Sequence, residues 1–109
     1  MTTITISKDK AGSYRQLTCI GHAGYANAGE DIVCASVSVL VINTINVLEE
    51  LAGEKFEIAT DEAEGFINCN FTNPLQERSV FLLDAMVYGL EKIQKEYGKK
   101  YLKVKFKEV

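Results

Sequence analysis

The sequence predicts an α/β fold: a two-layer sandwich of a mostly antiparallel sheet and two long helices, in the order ββαββαβ. Three observations predict it. The chain opens with two short segments that alternate apolar and polar residues around a polar turn. From Ile32 to Leu48 it carries no charge, in a run too long for a strand. A second helical pattern and a closing alternating segment follow. At 109 residues this is one domain, 1–109, able to bury a core without staples.

Each element has its own reason. Thr2 to Lys8 sets Ile4 and Ile6 on one side and Thr3, Thr5 and Ser7 on the other, as a half-buried strand does. Asp9 to Ser13 is a turn, and Tyr14 to Ile20 returns as the second strand of a hairpin, ending at Gly21-His22. Asp31 is an N-cap, which makes Ile32 N1, Val33 N2 and Cys34 N3 of a helix running to about Ala52 and stopped by Gly53. Val33, Val37, Leu40, Ile42, Val47 and Leu51 spread round more than one face, so this helix needs a second cover besides the sheet: another helix of the chain or a second subunit. Lys55 to Thr60 and Gly65 to Phe71 are two more strands, with Asp61-Glu62-Ala63-Glu64 as their acidic turn. Asn73, Pro74 and Gln76 read as N-cap, N1 and N3 of a second helix, which carries Leu83, Met86, Leu90, Ile93 and Tyr97 at spacings of three and four and ends at Gly98. Tyr101 to Lys107 alternates Leu102, Val104 and Phe106 with lysines as a closing strand.

Charge and composition narrow the function classes. A net charge of −3 argues against a general nucleic-acid binder. Residues 92–109 hold seven lysines against two acids. They read either as a ribosomal-RNA patch or, more commonly on a terminal strand, as lysines that blunt an edge against aggregation; the second reading is favoured, and no direct nucleic-acid partner is expected. The uncharged run is short for a membrane span of about 20 residues and includes Ser36, Ser38, Asn43, Thr44 and Asn46. A buried helix and no membrane partner are expected. The N-terminus lacks a basic signal region, so the expectation is a cytoplasmic chain with reduced cysteines.

The chemistry gathers in Gly21-His22-Ala23-Gly24-Tyr25-Ala26-Asn27-Ala28-Gly29-Glu30-Asp31-Ile32-Val33-Cys34. His22 is the only histidine, twelve positions before Cys34. At N3, Cys34 lies in the positive end of the helix dipole, which favours thiolate, and the N–H groups there are candidate oxyanion donors. His22 is the matching base. The competing readings are a cysteine buried as a small hydrophobe and a strand-end histidine in water. Cys19, His22, Cys34 and Cys69 as a zinc set is the third reading, disfavoured because there is no CxxC pair; no metal and no cofactor are expected. Ala23 to Glu30, small-residued and without an apolar anchor, is read as a substrate loop or lid with Gly24 and Gly29 as hinges, or as an ordinary connector. Tyr25 either meets ligand or ties the loop down. Asp31 is a cap first and a possible orienting group for His22.

The string GHAGYANAGEDIVCASVSVL resembles the ribosomal-processing cysteine proteases of bacteria, the Prp family, through Gly21, His22, Ala23, Tyr25, Gly29, Asp31, Val33, Cys34, Ala35, Ser36 and Ser38. It spans about a fifth of the chain. The resemblance implies a cytoplasmic homodimeric endopeptidase, with Cys34 as nucleophile and His22 as base. Its implied substrate is the N-terminal extension peptide of a large-subunit ribosomal protein. The alternative is a non-catalytic, ribosome-associated binding module of the same fold.

Overall fold

The structure is a computed structural model that describes residues 1–27 and 29–109. Its elements are β1 (Thr2–Lys8), β2 (Tyr14–Ile20), α1 (Ile32–Glu50), β3 (Glu57–Asp61), β4 (Phe66–Asn70), α2 (Glu77–Tyr97) and β5 (Leu102–Glu108), the expected order. The strands form one sheet, β3-β4-β2-β1-β5. β1 and β5 run parallel, and the other neighbours run antiparallel. Strand alternation sends Ile4, Ile6, Leu17, Cys19, Cys69 and Leu102 to one core cluster with the helices. The other face is polar: Gln16 and Thr18 both donate side-chain hydrogen bonds to Asn68 Oδ1, at 2.9 Å each.

Helix α1 buries Val33, Val37, Val41, Ile45 and Leu48. Its second cover is α2 of the same chain, which buries Leu83, Met86, Val87 and Leu90. The two helices meet closely at Gly89, where a Cβ would lie 2.7 Å from Leu40 Cδ2. By length and composition α1 could cross a membrane; in this fold one side of it is core. Val39, Ile42 and Leu51 stay exposed, as do Phe81 and Tyr88 on α2.

Several boundaries differ from expectation, each for a physical reason. Helix α2 starts at Glu77, with Gln76 as N-cap, rather than at Pro74. Gln76 is held from outside: its N–H donates to Glu54 Oε2 (2.9 Å) and its Nε2 to the Ala52 carbonyl (2.7 Å). Helix α1 ends at Glu50, with Leu51 as C-cap. The N–H groups of Ala52 and Glu54 turn back onto the Val47 and Leu48 carbonyls, which leads the chain off the helix axis. Strand β3 begins two residues later than expected, at Glu57, which pairs with Asn70 at the end of β4; Phe56, just before it, packs against Phe71 with ring centroids 5.4 Å apart.

Candidate active site

The nucleophile candidate owes its position to one aspartate. Asp31 has extended backbone (φ −82°, ψ 99°), and its Oδ1 accepts the Cys34 N–H at 2.9 Å. This is the N-cap geometry the sequence calls for, and it puts Cys34 at N3. The other carboxylate oxygen accepts the N–H groups of Tyr25 (2.9 Å) and Ala26 (3.3 Å). Desolvation pushes the Asp31 carboxyl up, but these N–H groups, with that of Val33, pull it below the usual carboxylate value. Asp31 thus ties the loop after His22 to the helix that carries Cys34. Its two oxygens face main-chain N–H groups; the imidazole has another partner. The expectation that N–H groups of this turn are free for an oxyanion fails for Cys34, whose N–H Asp31 takes.

His22 lies two residues beyond β2 and is exposed. Its Nε2 is 3.2 Å from the carbonyl oxygen of Ala63, in the turn between β3 and β4. His22 and Cys34 line one cavity of about 380 Å³, between α1, the end of β2 and the β3–β4 hairpin. That volume lies in the range of small-ligand sites, roughly 300–1,000 Å³. Ser38, one turn on from Cys34, also lines it. Ser36 points elsewhere and donates to the Ile32 carbonyl at 2.6 Å. Ile42, Ile58 and Phe66 give the cavity an apolar end, and Asp61 and Glu62 an acidic one.

The other thiols are different. Cys19 and Cys69 are buried, whereas Cys34 is half-buried. Burial pushes Cys19 up to about 11, with the nearby Cys34 thiol adding to the rise. Burial pushes Cys69 up to about 12, with the Glu49 carboxylate adding. Both are protonated at neutral pH and serve as core. Among the described residues no three His, Cys, Asp or Glu side chains are grouped to hold a metal ion.

The loop is better anchored than its composition suggests. Ala28 lies outside the described residues. Ala23 is buried. Tyr25 packs edge-on against both Tyr97 and Tyr101, with ring centroids 5.5 and 5.1 Å away. The expectation of no apolar anchor is therefore wrong: the loop borrows α2's last residue and the start of the closing segment. Gly24 and Gly29 both have positive φ, 72° and 85°. What the sequence left unseen is the part played by the β3–β4 turn. Gly65 has φ +61°, and a Cβ there would lie within van der Waals overlap of the Gly21 carbonyl and 3.1 Å from His22 Cε1. Only glycine lets the turn approach this closely. A glycine ending an acidic turn was the available signal, but nothing local ties it to a histidine 43 positions earlier.

A thiol at N3 of a helix and an imidazole on the same cavity make the arrangement of a thiol hydrolase. The family model of cysteine protease Prp matches residues 1–103, and the chain belongs to that family. It is 31% identical over 99 residues to the ribosomal processing cysteine protease Prp of Bacillus subtilis, covering 87% of each chain. It is 26% identical over 98 residues to the Staphylococcus aureus protein of the same name, covering 90% of this chain and 92% of the relative. The crystal structure of the essential ribosomal processing protease Prp from S. aureus, with a covalently linked product peptide, superposes with a TM-score of 0.91 at 25% identity, over 98% of this chain and all of that one. A Streptococcus mutans protein superposes with a TM-score of 0.85 at 27% identity, over all of this chain and 96% of that one. The protein is a cysteine protease.

Proposed function

We propose that this protease removes the N-terminal extension of a large-subunit ribosomal protein in the cytoplasm, with Cys34 as nucleophile and His22 as base. The observation that carries the reading is the shared cavity: thiol and imidazole face one space large enough for a peptide segment. The names of the B. subtilis and S. aureus relatives support ribosomal processing as the task. His22 takes the thiol proton, and the thiolate sulfur attacks the scissile carbonyl carbon. The carbon–nitrogen bond then breaks, and the proton passes from His22 to the leaving amine. Water, deprotonated by the same imidazole, cleaves the thioester and restores the thiol. Because Asp31 holds the Cys34 N–H, the donors for the tetrahedral oxyanion are other groups facing the cavity, among which the Ser38 hydroxyl is a candidate. Gly24, Tyr25 and Gly29, expected to form a substrate loop, are not among the described residues that line this cavity; Tyr25 packs against Tyr97 and Tyr101 instead.

Purified protein incubated with the extended and the pre-trimmed ribosomal protein tests this. Shortening of the extended form alone is expected, and an untouched extended form refutes the substrate assignment. We further infer a homodimer, supported by exposed Val39 on α1 and exposed Phe81 and Tyr88 on α2. Sedimentation is expected at about twice the 12.1 kDa chain mass; a monomer at micromolar concentration contradicts it.

A further inference from the structure

We propose that the main-chain carbonyl of Ala63 is the positioning group for His22, holding the imidazole in its Nε2–H tautomer so that Nδ1 is the basic nitrogen. The inference rests on the reading of His22 as base and adds the third member that the dyad otherwise lacks. A carbonyl oxygen only accepts hydrogen bonds. The contact of 3.2 Å between Nε2 and Ala63 O therefore requires a proton on Nε2. In the neutral ring that leaves the lone pair on Nδ1, and the hydrogen bond at one nitrogen decides the role of the other.

The turn is built to hold that carbonyl in place. Asp61 Oδ1 accepts the N–H groups of Ala63 (3.1 Å) and Glu64 (3.4 Å), and the Gly65 N–H donates to the Glu62 carbonyl at 3.1 Å. The next carbonyl along, that of Glu64, accepts the Gly21 N–H at 3.2 Å. Two successive carbonyls of one turn thus bind two successive residues at the end of β2: the main chain of Gly21 and the ring of His22. Gly65 lets the turn come this close, and the Thr2 hydroxyl donates to the Gly21 carbonyl from the other side at 3.4 Å. Gly21 is itself locked, since a Cβ there would overlap the Met1 carbonyl oxygen. The Asp31 carboxylate, the other candidate orienter, is taken up by main-chain N–H groups. A neutral acceptor fixes tautomer and orientation without the added pull that a carboxylate exerts on the imidazolium.

Because His22 is the only histidine, its two ring nitrogens give the only imidazole signals in a ¹⁵N-histidine-labelled sample of the whole protein. Two-bond nitrogen–proton correlations separate Nε2 from Nδ1. The neutral ring is expected wholly as the Nε2–H form. A ring protonated on Nδ1, or a mixture of both tautomers, overturns the proposal. This readout needs no substrate, so it stands apart from the cleavage test: an Nε2–H ring in a protein that does not cut the extended substrate overturns the substrate assignment and leaves the positioning intact. Asp61→Ala loosens the turn. It is expected to mix the tautomers and lower kcat about tenfold with KM little changed, a part of the 10²–10⁴-fold that a positioned base supplies. Asp61→Asn, which keeps an oxygen acceptor for the two N–H groups, should restore both. Asp61 also lines the cavity, so a rise in KM with kcat and tautomer unchanged would assign it to substrate contact and overturn its part in the proposal. If Asp61→Ala does not fold, the wild-type spectrum decides alone.

Discussion

The N-termini of the two helices are capped by opposite means. Helix α1 is capped by its own N-cap residue: Asp31 accepts the Cys34 N–H three positions on. Gln76 makes no side-chain cap on α2. The carboxylate there belongs to Glu54, 22 positions earlier, which accepts the Gln76 N–H. Electrostatically the two ends are alike, each with a carboxylate at the positive end of a dipole. They differ in what lies beyond. The start of α1 opens on a cavity with His22 and carries a half-buried thiol. The start of α2 closes onto Ala52 through Gln76 and Arg78. In the proposed function, what sets the α1 terminus apart is the second functional group, His22, on the same cavity; the α2 terminus serves as a joint to Ala52.

The sharpest way to separate the two ends is to remove the chemistry from one. Cys34→Ala and Cys34→Ser are expected to abolish peptide cleavage and keep the fold, since a half-buried thiol at a helix start contributes little packing. His22→Ala should lower cleavage by about 10²–10⁴-fold. Peptide-release kinetics beside a circular dichroism spectrum checks both, and full activity in Cys34→Ala would end the cysteine-nucleophile assignment. Limited iodoacetamide labelling with mass mapping should modify Cys34 before Cys19 or Cys69, whose burial holds them protonated at neutral pH.

Removing the caps makes the comparison directly. Asp31→Ala and Glu54→Ala should each cost about 1 kcal/mol of stability, read from urea midpoints. Only Asp31→Ala should also lower the cleavage rate, because it releases the Cys34, Tyr25 and Ala26 N–H groups together. Equal activity in the two variants would show that the cap of α1 has no catalytic consequence.

The same contrast explains what was legible in the sequence. Strand β1, strand β2 and the start of α1 rest on local signals: alternation and a cap three residues from its target. His22 and Cys34 stood out because one loop joins them. Asn73 and Pro74 offered an equally good local signal for α2, but the helix starts three residues later because Glu54 and the Ala52 carbonyl hold Gln76. The Tyr25 anchor and the Ala63 carbonyl were invisible for the same reason. Tyr25 meets rings at positions 97 and 101, and His22 meets a carbonyl 41 positions away. Neither pairing leaves a periodicity or a spacing in the chain.

The Tyr25 anchor gives a smaller effect. Tyr25→Ala removes two edge-to-face contacts, each typically about 0.5–1.5 kcal/mol. It should speed hydrogen exchange across Ala23 to Asn27 and lower kcat/KM by a few-fold. Tyr25→Phe keeps both ring contacts and should behave as wild type. Equal exchange in the two variants would mean that the Asp31 carboxylate alone fixes the loop.

Acid should produce the smallest effect, and it should reach both ends of the comparison at once. For Glu54, as for Asp31, desolvation raises the carboxyl, while hydrogen bonding, including that from the Gln76 N–H, and the Arg78 charge outweigh it and lower it below its usual value. A carboxyl whose folded pKa lies below its unfolded one stabilises the fold fully above the unfolded value, about 4, and loses that contribution as pH falls through the folded value. The stability gap between wild type and Asp31→Asn should therefore be constant from neutral pH to about 5 and close below about 4. The gap for Glu54→Gln should close over the same range. Residue-resolved hydrogen exchange in acid then divides the two ends: the Tyr25, Ala26 and Cys34 amides should lose protection with Asp31, and the Gln76 amide with Glu54. If protonation of Asp31 leaves the Tyr25 and Ala26 amides protected, the aromatic contacts hold the loop unaided, and the carboxylate at the Cys34 end acts on α1 alone, as Glu54 does on α2.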